Sequence, residues 1–194
     1  MQEVELYYIK KIYPVFVTYL NTSKKDLKDI NNNIIKYRED NPKSNDSNVK
    51  AWHSNYNTHE QTDSFDSINR KIVHECNEII NDFNDTKVRY EITNMWLNMY
   101  EKGDHTVNHC HNALGNYYSC CYYTDVEENC SPIKFPPKLD IIPKNDMLII
   151  FGGHIYHEVP PTSGKRTLIS INFFNIDESL GIKRFDVPLK LKYS

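Results

Sequence analysis

At about residue 86 the hydrophobic period of this chain changes, and that change restricts its fold more than any other feature. Upstream, Phe65, Ile68, Ile72, Cys76, Ile79 and Phe83 recur three or four apart, the stripe of an amphipathic helix. Downstream the period falls to two. Val88 to Tyr100 reads as one long strand, with Trp96, Asn98 and Tyr100 on one face. Further strand candidates are 106–111, 115–124, 138–142, 146–151, 154–159 and 166–175. Gly103, Pro136-Pro137, Pro143, Gly152-Gly153 and Pro160-Pro161 punctuate them. Helices first and many short strands after predict a mainly β fold, a sandwich or jelly roll with the N-terminal helices packed outside.

The first part of the chain is less regular. Tyr13 to Leu20 reads as a strand. Ser23 and Asp26 open a helix that continues through Leu27, Ile30, Ile34 and Tyr37, and the weak formers Asn31 to Asn33 are expected to interrupt it. Residues 39–61 look polar and turn-like apart from Trp52, and Asp63 is the expected cap of the second helix. The 194 residues suffice for one domain, read as N-terminal support (1–86), a β core (87–176) and a C-terminal extension (177–194). A net charge of -3 without a basic run argues against nucleic-acid binding. No long apolar run or leader pattern stands out, so neither a membrane partner nor secretion is expected. Five cysteines, an odd and unevenly spaced set, fit reduced thiols and a cytoplasmic setting. No feature defines an oligomeric state.

The chemistry concentrates in His109-Cys110-His111, His157 and Arg166. On a strand, His109 and His111 share a face. Two close imidazoles, a distant third and a downstream arginine suggest a mononuclear iron site that takes an anionic cosubstrate. On the strand from 166, Thr167, Ile169, Ile171 and Phe173 form one face. Arg166, Leu168, Ser170 and Asn172 form the other, which is too polar for plain core and suits a carboxylate pocket. His154 competes with His157 as a ligand, and the spacing to Arg166 favours His157. Asp104, Asp125 and Glu158 are the nearby carboxylates, read as turn or surface residues, and His105 as a residue of the pocket mouth. His53, His59 and His74 read as surface or packing histidines. Tyr118 and Tyr122 are candidates to hydrogen-bond the cosubstrate, and Asn98 to orient a ligand.

These motifs resemble the 2-oxoglutarate/Fe(II)-dependent oxygenases of the prolyl-hydroxylase-like group. That family shows a tyrosine, a glycine and then H-x-D before a strand; Tyr100, Gly103, His109 and His111 stand in matching places. The chain looks most like a branch found in phages and marine bacteria. Its W-x-N, H-x-H, S-G-x-Y-Y and R-x-S-I-x-F-N motifs correspond to Trp96-Leu97-Asn98, His109-Cys110-His111, Ser119 to Tyr123, and Arg166 to Asn175. The segment Ser47 to Ser54 also resembles that branch. The resemblance covers the chain from about residue 45 and is densest over 96–175. It implies a double-stranded β-helix, Fe(II) held by His109, His111 and His157, 2-oxoglutarate anchored by Arg166 and Ser170, O2 as oxidant, and hydroxylation of a small-molecule or peptide substrate with release of succinate and CO2. A phage-encoded protein acting in the host cytoplasm fits the same branch.

Two departures open other readings. Histidine stands where the family's acidic ligand would be, and Ser-Cys-Cys replaces Ser-Gly-x before the paired tyrosines. A three-histidine, cupin-type dioxygenase that does not use 2-oxoglutarate is one alternative. A non-catalytic jelly-roll binding module associated with phages is the other.

Overall fold

The computed structural model describes residues 5–8, 14–45, 47–111 and 118–176, with backbone alone for 5–8. The expected C-terminal extension at 177–194 and the start of the 115–124 strand fall outside them. In chain order the elements are β1 (Glu5–Tyr8), β2 (Pro14–Tyr19), α1 (Lys24–Asp40), β3 (Val49–Lys50), β4 (Trp52–His53), α2 (Thr58–Gln61), a 3-10 turn (Asp63–Phe65) and α3 (Asp66–Asn84). Then follow β5 (Arg89–Tyr100), β6 (His105–His109), β7 (Tyr118–Val126), β8 (Ile133–Phe135), β9 (Leu139–Ile141), β10 (Met147–Gly152), β11 (His157–Val159) and β12 (Arg166–Ile176).

The strands make two sheets, a seven-stranded one ordered β1-β2-β10-β7-β12-β5-β4 and a five-stranded one ordered β3-β6-β11-β8-β9. The named strands pair antiparallel. From β5 to β8, and again from β9 to β12, successive strands alternate between the sheets, so β10 lies in one and β11 in the other. This is the double-stranded β-helix.

Strand parity sorts the side chains of the large sheet into two cores. Leu97, Cys120, Tyr122, Leu148, Ile150, Ile169, Ile171 and Phe173 face the helices and meet Ile34, Phe65, Ile68, Ile72, Cys76, Ile79 and Ile80. Tyr100, Cys121, Tyr123, Ile149, Phe151 and Leu168 face inward and meet Ile133, Phe135, Ile141 and Val159 of the small sheet. The α3 stripe is thus the cover of the large sheet. Its last member, Phe83, is part-exposed and closes edge-on against Phe16 with ring centroids 5.2 Å apart.

Several local features differ from expectation. Helix α1 runs unbroken through Asn31–Asn33, because the Ser23 cap and the burial of Ile34 outweigh three weak formers. Asp63 does not cap α3: it lies within the 3-10 turn, which Thr62 caps by accepting from Ser64 N at 3.2 Å, and α3 follows Phe65 with no side-chain cap. The segment 39–61 is not mere turn. It carries β3, β4 and α2, and Trp52 is buried with its indole N–H donating to Asn41 O at 3.1 Å. Strands β1 and β8 were not foreseen. Ile133–Phe135 is too short to display an alternation between its flanking prolines. Gly103, at φ 93, makes the turn from β5 to β6, and its N–H reaches Thr162 O at 2.8 Å.

Candidate metal centre and anion pocket

Strands β6 and β11 are neighbours, and His109 and His157 are direct register partners. Their ring centroids lie 4.3 Å apart. Strand β6 ends at His109, so His111 stands just beyond it and not on it, as the spacing alone implied. Its backbone N–H is held by Gly153 O at 2.7 Å, in the turn between β10 and β11. That tether brings its ring 5.3 Å from His109 and 5.1 Å from His157. One ligand atom from each histidine lies within 4.8 Å of the other two.

The far side of each ring is also fixed. His109 Nδ1 donates to Val107 O at 2.9 Å, and His157 Nδ1 to Ile155 O at 3.1 Å. A carbonyl can only accept, so in both rings the proton sits on Nδ1 and the Nε2 lone pair is free. His111 Nδ1 lies 2.6 Å from Asn172 Oδ1 and 2.7 Å from Ser119 Oγ. Phe151 packs against His157 and Trp96 against His111, with centroids 4.7 and 5.7 Å away. Burial pushes the His157 pKa well below its ordinary value, with repulsion from His111 and His109 adding to it. Burial and then His109 lower His111 to about 4, and burial lowers His109. At neutral pH the three rings are uncharged, the state a metal ion requires.

No carboxylate joins this cluster among the described residues. Asp104 accepts from Glu101 N at 2.7 Å in the β5–β6 turn. Glu158 points away from the His157 side by strand parity and pairs in register with Lys134. Asp125 is exposed. His154 is exposed in the turn and outside the triad, and His105 lies back at the start of β6. Of the other histidines, His53 is fully buried. It stacks on Trp96 at 5.8 Å, and burial lowers its pKa to about 4.

Deeper between the sheets lies Arg166, 1% exposed. Its guanidinium carbon is 4.3 Å from the Tyr100 ring centroid, and Nη1 donates to Ser131 O at 3.0 Å. Its Nε has no partner, and no carboxylate pairs with it among the described residues. Ser170 accepts from Asn98 Nδ2 at 3.0 Å, and Asn98 Oδ1 is buried without a partner. The histidine triad, Arg166, Ser170 and Asn98 therefore border one interior.

Tyr118 and Tyr122 do not. They face the helices, because they alternate with the inward Ser119, Cys121 and Tyr123. Tyr122 donates to Asp146 at 2.8 Å, and Tyr118 accepts from Asn84 at 3.1 Å and packs on Tyr90. The tyrosines that share the interior with Arg166 are Tyr100 and Tyr123. Tyr123 shares the parity of Cys121, and the structure shows that this is the inward face. Asn172 and Ser119 also escaped assignment, although Asn172 shares the inward parity of Arg166 and Ser170.

No protein-family profile and no curated protein sequence matches the chain. Solved structures do. A viral collagen prolyl hydroxylase from Paramecium bursaria Chlorella virus-1, solved as its 2OG complex, superposes with a TM-score of 0.60 at 18% identity. The match covers 82% of this chain and 95% of that one. A Pseudomonas putida prolyl-4-hydroxylase gives 0.62 at 12% identity over 86% and 94%. A Trichoplax adhaerens prolyl hydroxylase, bound to a peptide fragment of hypoxia inducible factor, gives 0.63 at 16% over 85% and 84%. The chain thus has the jelly-roll fold of the prolyl hydroxylases.

Proposed function

We propose that this chain is an Fe(II)- and 2-oxoglutarate-dependent dioxygenase that hydroxylates its substrate and releases succinate and CO2. The observation that carries the reading is Arg166, a fully buried cation that no carboxylate pairs among the described residues, set in the same interior as three converging histidines. An isolated buried charge costs several kcal/mol or more, so a site that keeps one is built around a counter-charge. A dicarboxylate that reaches both the triad and Arg166 supplies it.

The donor set fits a divalent transition metal. Imidazole suits iron, zinc, copper or nickel, and the prolyl-hydroxylase fold selects iron among them. Iron bound there supplies activation of O2 coupled to oxidative decarboxylation of the cosubstrate. His109, His111 and His157 would hold it. Arg166 fixes the distal carboxylate by a charge-assisted hydrogen bond from Nε, with Ser170 beside it and Tyr100 under its guanidinium. Asn98 orients Ser170. Phe151, Phe135 and Trp96 keep water from the imidazoles. The substrate is a peptide side chain, as the peptide-bound Trichoplax enzyme suggests, or a small molecule. Residues 1–86 act as support for a single catalytic domain over 1–194. All five cysteines are free thiols and no described helix is long and apolar enough to cross a membrane, which suits the cytoplasm of a host cell.

One observation favours a second reading. The triad has no carboxylate, as in a three-histidine dioxygenase that dispenses with 2-oxoglutarate. Anaerobic titration with Fe(II) and then 2-oxoglutarate separates the two. A visible metal-to-ligand charge-transfer band is expected. Iron binding with no band on adding 2-oxoglutarate would remove the first reading and leave the second.

A further inference from the structure

We infer that Asn172, supported by Ser119, is the positioning residue that makes His111 a competent metal ligand. This rests on the metal-centre reading above. A carboxylate in the place of His111 would need no such help, since either oxygen can bind a metal. An imidazole must present a lone pair, and the other nitrogen decides whether it does. His109 and His157 take their Nδ1 acceptors from backbone carbonyls two residues earlier. His111 stands past the end of β6, and side chains of the opposite sheet fill that role.

The arrangement is specific. Asn172 on β12 and Ser119 on β7 are register partners with inward parity. Ser119 Oγ donates to Asn172 Oδ1 at 2.8 Å, and His111 Nδ1 lies 2.6 Å from the same oxygen. An amide oxygen has two lone pairs and can accept both protons. The one Ser119 proton is given to Oδ1, so that oxygen and Ser119 Oγ, 2.7 Å from Nδ1, both accept from the ring; the His111 proton is held on Nδ1 and Nε2 keeps its lone pair. Turning the amide round would set an N–H against Nδ1. That would drive the His111 proton to Nε2, into the space between the three rings, and abolish metal binding. The side-chain oxygen of Asn172 therefore decides between ligand and bystander. An uncharged amide does so without placing a second buried charge beside the ring.

The test uses the full chain with 15N-labelled histidine and Zn(II) as a redox-silent probe. In the metal-free parent, the His111 imidazole is expected as the single Nδ1–H tautomer. Removing an orienting partner of this kind costs ten- to a hundredfold in metal affinity, so Asn172→Leu should weaken Zn(II) binding by about that factor and mix the two His111 tautomers. Asn172→Asp keeps the acceptor oxygen and should restore affinity to within roughly threefold of the parent. Ser119→Ala, which leaves Oδ1 in place, should cost only a few-fold. A folded Asn172→Leu protein that binds Zn(II) like the parent, with its tautomer unchanged, would overturn the inference. So would a metal-free parent with the His111 proton on Nε2, a result that needs no variant to fold. A parent that binds no Zn(II) at all would instead bring down the metal centre itself.

Discussion

Arg166 sits over the ring of Tyr100, 4.3 Å from its centroid, and among the described residues its buried charge is met by that tyrosine and by the carbonyl of Ser131, with no carboxylate. Cation–π contact and a single neutral acceptor are weak substitutes for an anion. Arg166→Ala should therefore keep metal binding and lose 2-oxoglutarate. One charge-assisted contact in a desolvated pocket is worth about 2–4 kcal/mol, roughly a thirty- to thousandfold rise in apparent Kd. Pyruvate lacks the distal carboxylate and should bind parent and variant about equally weakly. Titration of the charge-transfer band measures both, and an unchanged 2-oxoglutarate curve in a folded, iron-loaded variant would support the three-histidine dioxygenase instead.

His109→Ala and His157→Ala should each abolish stoichiometric Fe(II) binding with the far-ultraviolet circular dichroism intact, since two imidazoles no longer close the site. His111→Asp should retain iron, because a carboxylate completes the common two-histidine facial set. Metal analysis after gel filtration reads all three. Full occupancy in either alanine variant would mean that the ring it removed is not a ligand.

The two faces of β7 give opposite expectations for adjacent tyrosines. Tyr122→Phe removes hydroxyl bonds to Asp146 and Thr22 on the helix side. It should lower stability by about 1 kcal/mol and leave cosubstrate affinity alone. Tyr123→Phe alters the interior that holds Arg166 and should change 2-oxoglutarate affinity. Urea denaturation alongside the same titration distinguishes them, and a cosubstrate effect from Tyr122 with none from Tyr123 would contradict the parity assignment.

Acid should destabilise the metal-free protein as pH falls below about 6.5. The folded-state pKa of His53 lies at about 4, below the unfolded value of 6.5, so the unfolded chain binds the extra proton first. This contribution to stability is complete above pH 6.5 and is lost as pH falls toward about 4, at up to ~1.4 kcal/mol per pH unit. The triad histidines shift in the same direction and steepen the loss. His53→Phe keeps a ring against Trp96 and removes one titrating group, so it should flatten the decline of the urea midpoint across this window. Equal slopes for parent and variant would show that His53 does not titrate as its burial requires.

The period-two pattern after residue 86 was enough to reveal the jelly roll, because each long strand has one face toward the helices and one toward the interior. The same rule correctly grouped Arg166, Ser170 and Asn172. It failed where regular strand ends. His111 has the i+2 spacing of a strand neighbour, yet a hydrogen bond to Gly153 from a distant turn places it. The tyrosines were misassigned because a pair side by side offers one to each face, and only the register of β7 against β12 says which. Strand β8 was illegible because three residues carry too little pattern, and its place is set by pairing with β9 and β11.

Asn172, Ser170, Leu168 and Arg166 occupy successive inward positions on one strand, with the hydrogen-bond partner of His111 at one end and the guanidinium at the other. Inward positions along a strand come about 6.8 Å apart. The wall is consequently a ruler with coarse divisions. Moving the arginine by one division would overshoot any small change in ligand length, so the backbone cannot be retuned for a diacid one carbon longer or shorter. Only the side chain at the far mark, arginine exchanged for a residue of different reach, allows a finer adjustment. On the proposed dioxygenase reading, a lineage of such proteins can therefore change its substrate elsewhere in the site while the length of its acid cosubstrate stays locked in the sheet.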